Sequence, residues 1–139
     1  MTTAFINYVL DQGWEMKNIP TDQQTTQAND IILFGKNGLN FVFTYNKNND
    51  SNYFEIILPY IDDFNRSNQE QFELLLSLNK DYKTGKVIID KENHITLSFE
   101  QYVFSDLNIN KLFEQAVGCL ESMIREYRGT MHIIKSNSN

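Results

Sequence analysis

The dipeptide Asn37-Gly38, set between two apolar runs, constrains this chain more than any other feature. Both residues tolerate the positive φ of a type I′ turn, so residues 31–35 and 39–45 are expected to fold back on one another as an antiparallel hairpin. In the second run Leu39, Phe41, Phe43 and Tyr45 alternate with Asn40, Val42 and Thr44, the pattern of a strand with one face in a core and the other in water. Residues 53–59 repeat the pattern with Phe54, Ile56 and Leu58, which makes a three-stranded meander once the polar loop 46–52 is allowed for. Pro59 has no N–H to give a ladder and is expected to end it. A second hairpin follows, residues 87–90 against 94–100 across Lys91-Glu92-Asn93, with Ile95, Leu97 and Phe99 facing inward. Gly85 is read as closing the turn before it.

Between the meander and this hairpin lies Gln71-Phe72-Glu73-Leu74-Leu75-Leu76-Ser77-Leu78-Asn79, which is apolar over roughly 200° of a helix, where docking on one core needs only about 100°. Ser67 and Glu70 have capping-box spacing and start it. Phe72, Leu75, Leu76 and Asn79 form one face, assigned to the sheet. Leu74, Leu78 and Tyr82 continue the apolar arc on the other side. That second face is either covered by loops of the same monomer or is the seam of a homodimer, and the sequence weighs the two about equally. The dimer-interface residues it would name are Leu74, Leu78 and Tyr82.

Helices close both ends. Phe5, Tyr8, Val9 and Gln12 recur at helical spacing, and Gly13 follows as a stop. Asn108 is a good N-cap, with Leu107 and Leu112 placed as a hydrophobic staple. Ile109, Leu112, Phe113, Ala116, Val117, Leu120, Met123, Ile124 and Tyr127 then form one stripe up to Gly129, expected to end the helix. Residues 130–134 read as a short strand or a surface segment, and 135–139 as a disordered polar tail. Residues 21–29 lack periodicity and read as a loop, and 101–106 as a connection anchored by Tyr102, Val103 and Phe104. The order α-β-β-β-α-β-β-α predicts a single α+β domain over residues 1–139, with a five-stranded, largely antiparallel sheet and helices mainly on one face.

At this point a resemblance emerges. Leu10-Asp11-Gln12-Gly13-Trp14, Leu75-Leu76-Ser77-Leu78-Asn79, Gly85 with Val87-Ile88-Ile89-Asp90, and the final helix through Glu126-Tyr127-Arg128 resemble the YbjN family, which shares its fold with the type III secretion chaperones, the Tir-chaperone-like group. The resemblance spans residues 3–128. It implies a bacterial type III secretion chaperone-like fold. Those chaperones are small, acidic, cytoplasmic homodimers without a catalytic site that hold an unfolded segment of a client, whereas YbjN-like proteins are described as regulators of sensory transduction or motility. Met131, Ile133 and Ile134 fall outside the pattern.

Composition removes several classes of function. A formal charge of −6 and a pI near 4.8 repel a nucleic-acid backbone or an anionic membrane. No apolar run approaches the roughly 20 residues of a membrane span. The N-terminus lacks the basic start and long apolar run of a signal peptide, and the single cysteine, Cys119, cannot form an internal disulfide. The expectation is a cytoplasmic protein that binds neither nucleic acid nor membrane.

Chemistry is sparse. His94 and His132 have no Cys or second His at ligand spacing and read as solvated. Cys119 lies beside the apolar stripe of the last helix, as a small hydrophobe. Asp62-Asp63 reads as solvated loop charge, and no glycine-rich phosphate loop exists. The expectation is therefore no catalytic, cofactor-binding or metal residues and no cofactor. The function expected is a non-enzymatic protein-binding module, chaperone-like or regulatory and dimeric, holding a segment of an unidentified partner protein. The alternatives are a small-ligand binder or enzyme with an unrecognised pocket under residues 21–29, and a scaffold regulating sensory transduction or motility.

Overall fold

The computed structural model describes residues 1–18, 29–46, 53–103 and 108–137. It is an α+β fold: α1 (Thr2–Gln12), β1 (Glu15–Met16), β2 (Asn29–Lys36), β3 (Leu39–Asn46), β4 (Tyr53–Asp63), α2 (Gln69–Asp81), β5 (Gly85–Ile89), β6 (His94–Tyr102) and α3 (Ile109–Asn137). The sheet is antiparallel and six-stranded, in the order β1-β2-β3-β4-β6-β5. It thus has six strands rather than five. The extra one, β1, pairs only Glu15 with Gly35 and Met16 with Phe34, too short a stretch to leave a periodic signature.

The hairpin at Asn37-Gly38 forms as its chemistry demands, with φ of 52° and 77° at the two residues. Pro59 does not end β4. The strand runs on to Asp63 through a register shift between Leu58 and Asp62, with Tyr60 at a φ of 50°. A bulge accommodates a proline because the ladder is already interrupted there.

All three helices pack on one face of the sheet, over Ile32, Phe34, Phe41, Phe43, Phe54, Ile56, Leu58, Ile95, Leu97 and Phe99, and the buried apolar residues form one cluster. Phe5 of α1 stacks on Phe43 at 4.1 Å between centroids and meets Phe113 of α3 edge-on at 4.9 Å. α3 does not stop at Gly129; it continues to Asn137 with Met131 buried, so residues 130–134 are helix and not strand, and 135–137 are helical rather than a loose tail. Glycine after a long stripe permits a stop but does not impose one, and Met131 adds an i+4 anchor beyond Tyr127. Gly85, the first residue of β5, is buried where a Cβ would run into Met123 of α3, so it serves close packing rather than a turn.

The facing of α2 departs from the sequence expectation except at Leu75, which is buried as expected. Gln71, Leu74, Leu75 and Leu78 are buried and Tyr82 is half-buried, while Phe72 and Leu76 are 41% and 52% exposed. Leu74 and Leu78 therefore belong to the monomer core and are not available as a dimer seam. The reason is Gln71. Its amide donates to the Asp63 carbonyl and the Tyr127 hydroxyl, each at 2.9 Å, and accepts from the Asn65 N–H at 2.8 Å. A fully bonded polar residue can sit inside, and it rotates the buried face to the i, i+3, i+4, i+7 set that begins at 71. The N-cap is Asn68, whose side chain accepts from the Gln71 N–H at 3.0 Å, in place of the expected Ser67–Glu70 box. Asn108 caps α3 through the Asn110 and Lys111 amides, while the staple residue Leu107 and the stretches 19–28, 47–52 and 104–107 lie outside the described residues.

Candidate protein-binding face

With every helix on one side, the opposite side of the sheet carries no packed element among the described residues. The register fixes what it displays. Directly paired residues point to the same side, so Leu33, Val42, Ile57, Ser98 and Lys86 form one cross-strand row. Ile31, Thr44, Glu55 and Glu100 form the next, and Tyr53 with Tyr102 a third. Leu33 and Ile31 are 40% and 41% exposed, and Val42 and Ile57 are half-buried. The result is an aliphatic strip over β2, β3 and β4 that runs into a polar cluster on β4, β6 and β5.

That cluster is built around two opposed carboxyl groups. Glu55 and Glu100 face each other across β4 and β6. Ser98, fully buried between them and Ile57, donates from its hydroxyl to Glu55 at 3.1 Å, and Lys86 binds Glu100 at 2.7 Å. Burial, together with the adjacent Glu100, holds the Glu55 carboxyl above the usual carboxylate range. The hydrogen bond from Glu55 and the ammonium of Lys86 press Glu100 down to about 2. The two carboxyls therefore titrate apart, Glu55 the weaker acid and Glu100 the stronger. Burial and its hydrogen bond to Glu100 keep the Tyr53 phenol protonated well above its ordinary range.

Side-chain amides meet backbone groups near each edge of the sheet. Beside β2, Asn18 donates to the Ile31 carbonyl at 3.1 Å and accepts from the Leu33 N–H, extending the contact made by the Lys17 N–H to the Leu33 carbonyl at 2.8 Å. Beside β5, Asn79 of α2 accepts from the Val87 N–H at 2.7 Å. Each such bond removes a backbone group from strand addition.

A second apolar surface lies on α2. At about 100° per residue Gln69, Phe72, Glu73, Leu76 and Lys80 share the outward face, and Phe72 touches Phe64 at 6.4 Å between ring centroids.

The residues singled out for chemistry are scattered. Asp62 accepts from the Tyr127 hydroxyl at 2.6 Å and from the Asp63 N–H at 2.8 Å, while Asp63 accepts from the Tyr60 hydroxyl, so the two acids do different structural work. His94 packs edge-on to Tyr60 at 4.0 Å, with Asp90 at 3.5 Å. His132 lines a cavity of about 330 Å³ with Arg128, Lys135, Asp62 and Tyr127. Cys119 lies half-buried against Met123, where burial raises its thiol pKa and lowers its reactivity. Among the described residues no three His, Cys, Asp or Glu side chains gather as metal ligands would. A cavity of about 490 Å³ opens between Trp14, Glu15, Lys17 and the Gly35–Asn40 hairpin, where Lys36 spans the Trp14 ring and an ion pair to Glu121. The pocket expected under residues 21–29 falls outside the described residues.

Sequence reasoning missed Glu55, Glu100 and Lys86. Their signal was the alternation itself, since Glu55 stands between Phe54 and Ile56, and Glu100 follows Phe99. No family model matches the chain, and no curated protein or solved structure gives a significant match. Among the described residues no helix is long and apolar enough to cross a membrane.

Proposed function

We propose that the protein is a non-enzymatic, cytoplasmic protein-binding module, chaperone-like or regulatory, that holds a segment of a partner protein on the open face of its sheet. The observation that carries this reading is the aliphatic strip of Ile31, Leu33, Val42 and Ile57, left uncovered by every described element. The resemblance to the YbjN and type III secretion chaperone group supports the same class of function. Suppression of aggregation of a reduced test protein such as insulin is the assay. The wild-type chain is expected to delay light scattering, and Leu33→Asp with Ile31→Asp to abolish the delay while leaving the circular dichroism spectrum unchanged. No delay by the wild-type chain, or an equal delay by the variant, would remove the sheet face from consideration.

The outward face of α2 supports a homodimer. In an antiparallel pair centred between Leu76 and Ser77, Phe72 and Leu76 form the seam and Glu73 of one copy falls opposite Lys80 of the other, twice by symmetry. Sedimentation of the wild-type chain and of Leu76→Glu tests this: a dimer that becomes a folded monomer supports it, and a wild-type monomer refutes it.

A further inference from the structure

We infer that the segment held on the open sheet face is a cationic amphipathic helix, its apolar residues seated on Leu33, Val42 and Ile57 and one Lys or Arg placed between Glu55 and Glu100. This rests on the protein-binding reading and specifies the partner's chemistry.

The argument is one of charge count and spacing. Two carboxyl groups meet across β4 and β6, and among the described residues only one cation, Lys86, serves them. Glu55 has a serine hydroxyl as its donor and, among the described residues, no ion pair of its own. A second ammonium or guanidinium is the group this arrangement lacks. The whole chain, at −6, attracts such a partner from a distance. A neutral or acidic segment seated on the same strip would bring its own polar groups against the carboxylates.

Spacing sets the form of the segment. Leu33, Val42, Ile57 and Ser98 lie on four adjacent strands, so the strip spans about 10 Å from β2 to β4, and the Glu55–Glu100 pair, on β4 and β6 in the neighbouring side-chain row, lies at about 10–14 Å. A helix rises about 1.5 Å per residue. Laid across the strands it would place apolar residues at i, i+3 or i+4 and i+7 on the strip, and a cation near i+8, on the flank toward the neighbouring row, at the Glu55–Glu100 pair. Seating a cation favours the ionised form of Glu55. Lys86, Tyr53 and Tyr102 are the other titratable groups at this spot, and the Tyr53 phenol stays protonated well above its ordinary range. Affinity therefore rises with pH through the range in which free Glu55 loses its proton and is level above it.

The test uses the full chain and a synthetic 18-residue helix with Leu at i, i+3, i+4 spacing and Lys on the polar face, beside the same peptide with Glu for Lys. Calorimetry near neutral pH is expected to show binding of the Lys peptide and binding at least about tenfold weaker for the Glu peptide. Glu55→Gln with Glu100→Gln should weaken the Lys peptide at least about fivefold, and Leu33→Ser should weaken it similarly. Asp11→Asn with Glu114→Gln, on the helical side, should leave it unchanged. In the pH range in which free Glu55 still holds its proton, binding to the wild-type chain should release one, detected as a heat that varies with the buffer. Equal binding of the two peptides, or an unchanged affinity for Glu55→Gln with Glu100→Gln, overturns the cationic assignment. In that case weakening by Leu33→Ser alone leaves the docking face intact. Insensitivity to Leu33→Ser overturns the docking face as well.

Discussion

Removing the Tyr127 hydroxyl tests whether α2, α3 and the bulge of β4 are held together by one polar network. Tyr127 is 2% exposed, donates to Asp62 at 2.6 Å and accepts from Gln71 at 2.9 Å. In Tyr127→Phe the ring packing stays. The bond to the carboxylate, charge-assisted and worth about 1.5–3 kcal/mol, is lost. Gln71 keeps its bond to the Asp63 carbonyl but has one buried N–H left without a partner. Against this, Asp62 is only half-buried and recovers water on the freed oxygen. The balance is a loss of about 2 kcal/mol. For a 139-residue chain with an unfolding entropy of about 2.1 cal/mol/K per residue, that corresponds to a fall in Tm of about 7 °C. Urea unfolding gives the free energy directly, and a double-mutant cycle with Gln71→Ala gives the coupling, expected above about 0.5 kcal/mol. The wild-type protein has a second signature. Burial and the bond to Asp62 raise the Tyr127 pKa above its ordinary value, so its contribution is complete below about pH 10 and is lost as pH rises through the folded value. A loss under about 0.5 kcal/mol, or additive single and double variants, would falsify the network.

Three other outcomes follow from the geometry. Leu74→Ala should cost about 2–4 kcal/mol in urea unfolding and Leu76→Ala under about 0.5, because one is in the core and the other faces out; the opposite order would restore the facing expected from sequence. Gly129→Ala should stabilise the protein by about 0.5–1 kcal/mol, since Gly129 sits in helix interior with open space where a Cβ would go; a destabilised variant would place a helix end there. Glu55→Gln should gain stability relative to wild type as pH rises from about 4.5. The raised Glu55 pKa means that its own contribution is full below that value and is lost as pH passes through the folded pKa; flat pH dependence in urea titrations would show that Glu55 titrates alike in the folded and unfolded chain.

Much of the sheet was legible in the residues because antiparallel strands with one wet face alternate, and Asn-Gly names its turn. The inward sets Phe41, Phe43, Phe54, Ile56 and Leu58 and Ile95, Leu97 and Phe99 all lie where alternation puts them. What failed had a local reason each time. β1 is two residues long and exists because Trp14 packs on Phe34 and edge-on to Tyr8, carrying the following residues alongside β2. Pro59 was tolerated by a bulge whose register shift is a tertiary fact. The facing of α2 turned on one buried glutamine, which a hydrophobicity pattern counts on the wrong side. Of the candidate site, the aliphatic strip was hidden because Ile31 and Leu33 read as part of a continuous apolar run. The carboxyl pair was hidden because Glu55 and Glu100 meet only through pairing of strands 45 positions apart, Glu55 with Glu100.

The edge contacts bear on how such a face would work. An open antiparallel sheet ordinarily offers a partner two routes, its backbone at an edge or its side chains on a face. Here Asn18 meets the Leu33 N–H and Ile31 carbonyl beside β2, and Asn79 meets the Val87 N–H beside β5. Edge pairing takes almost any sequence, because it is made of peptide groups that every chain carries. Face docking reads apolar spacing and charge. On the proposed reading, partly capped edges beside Leu33, Val42, Ile57 and the Glu55–Glu100 pair, which no described element covers, would shift recognition from backbone to side chains and favour selection among partners over indiscriminate capture.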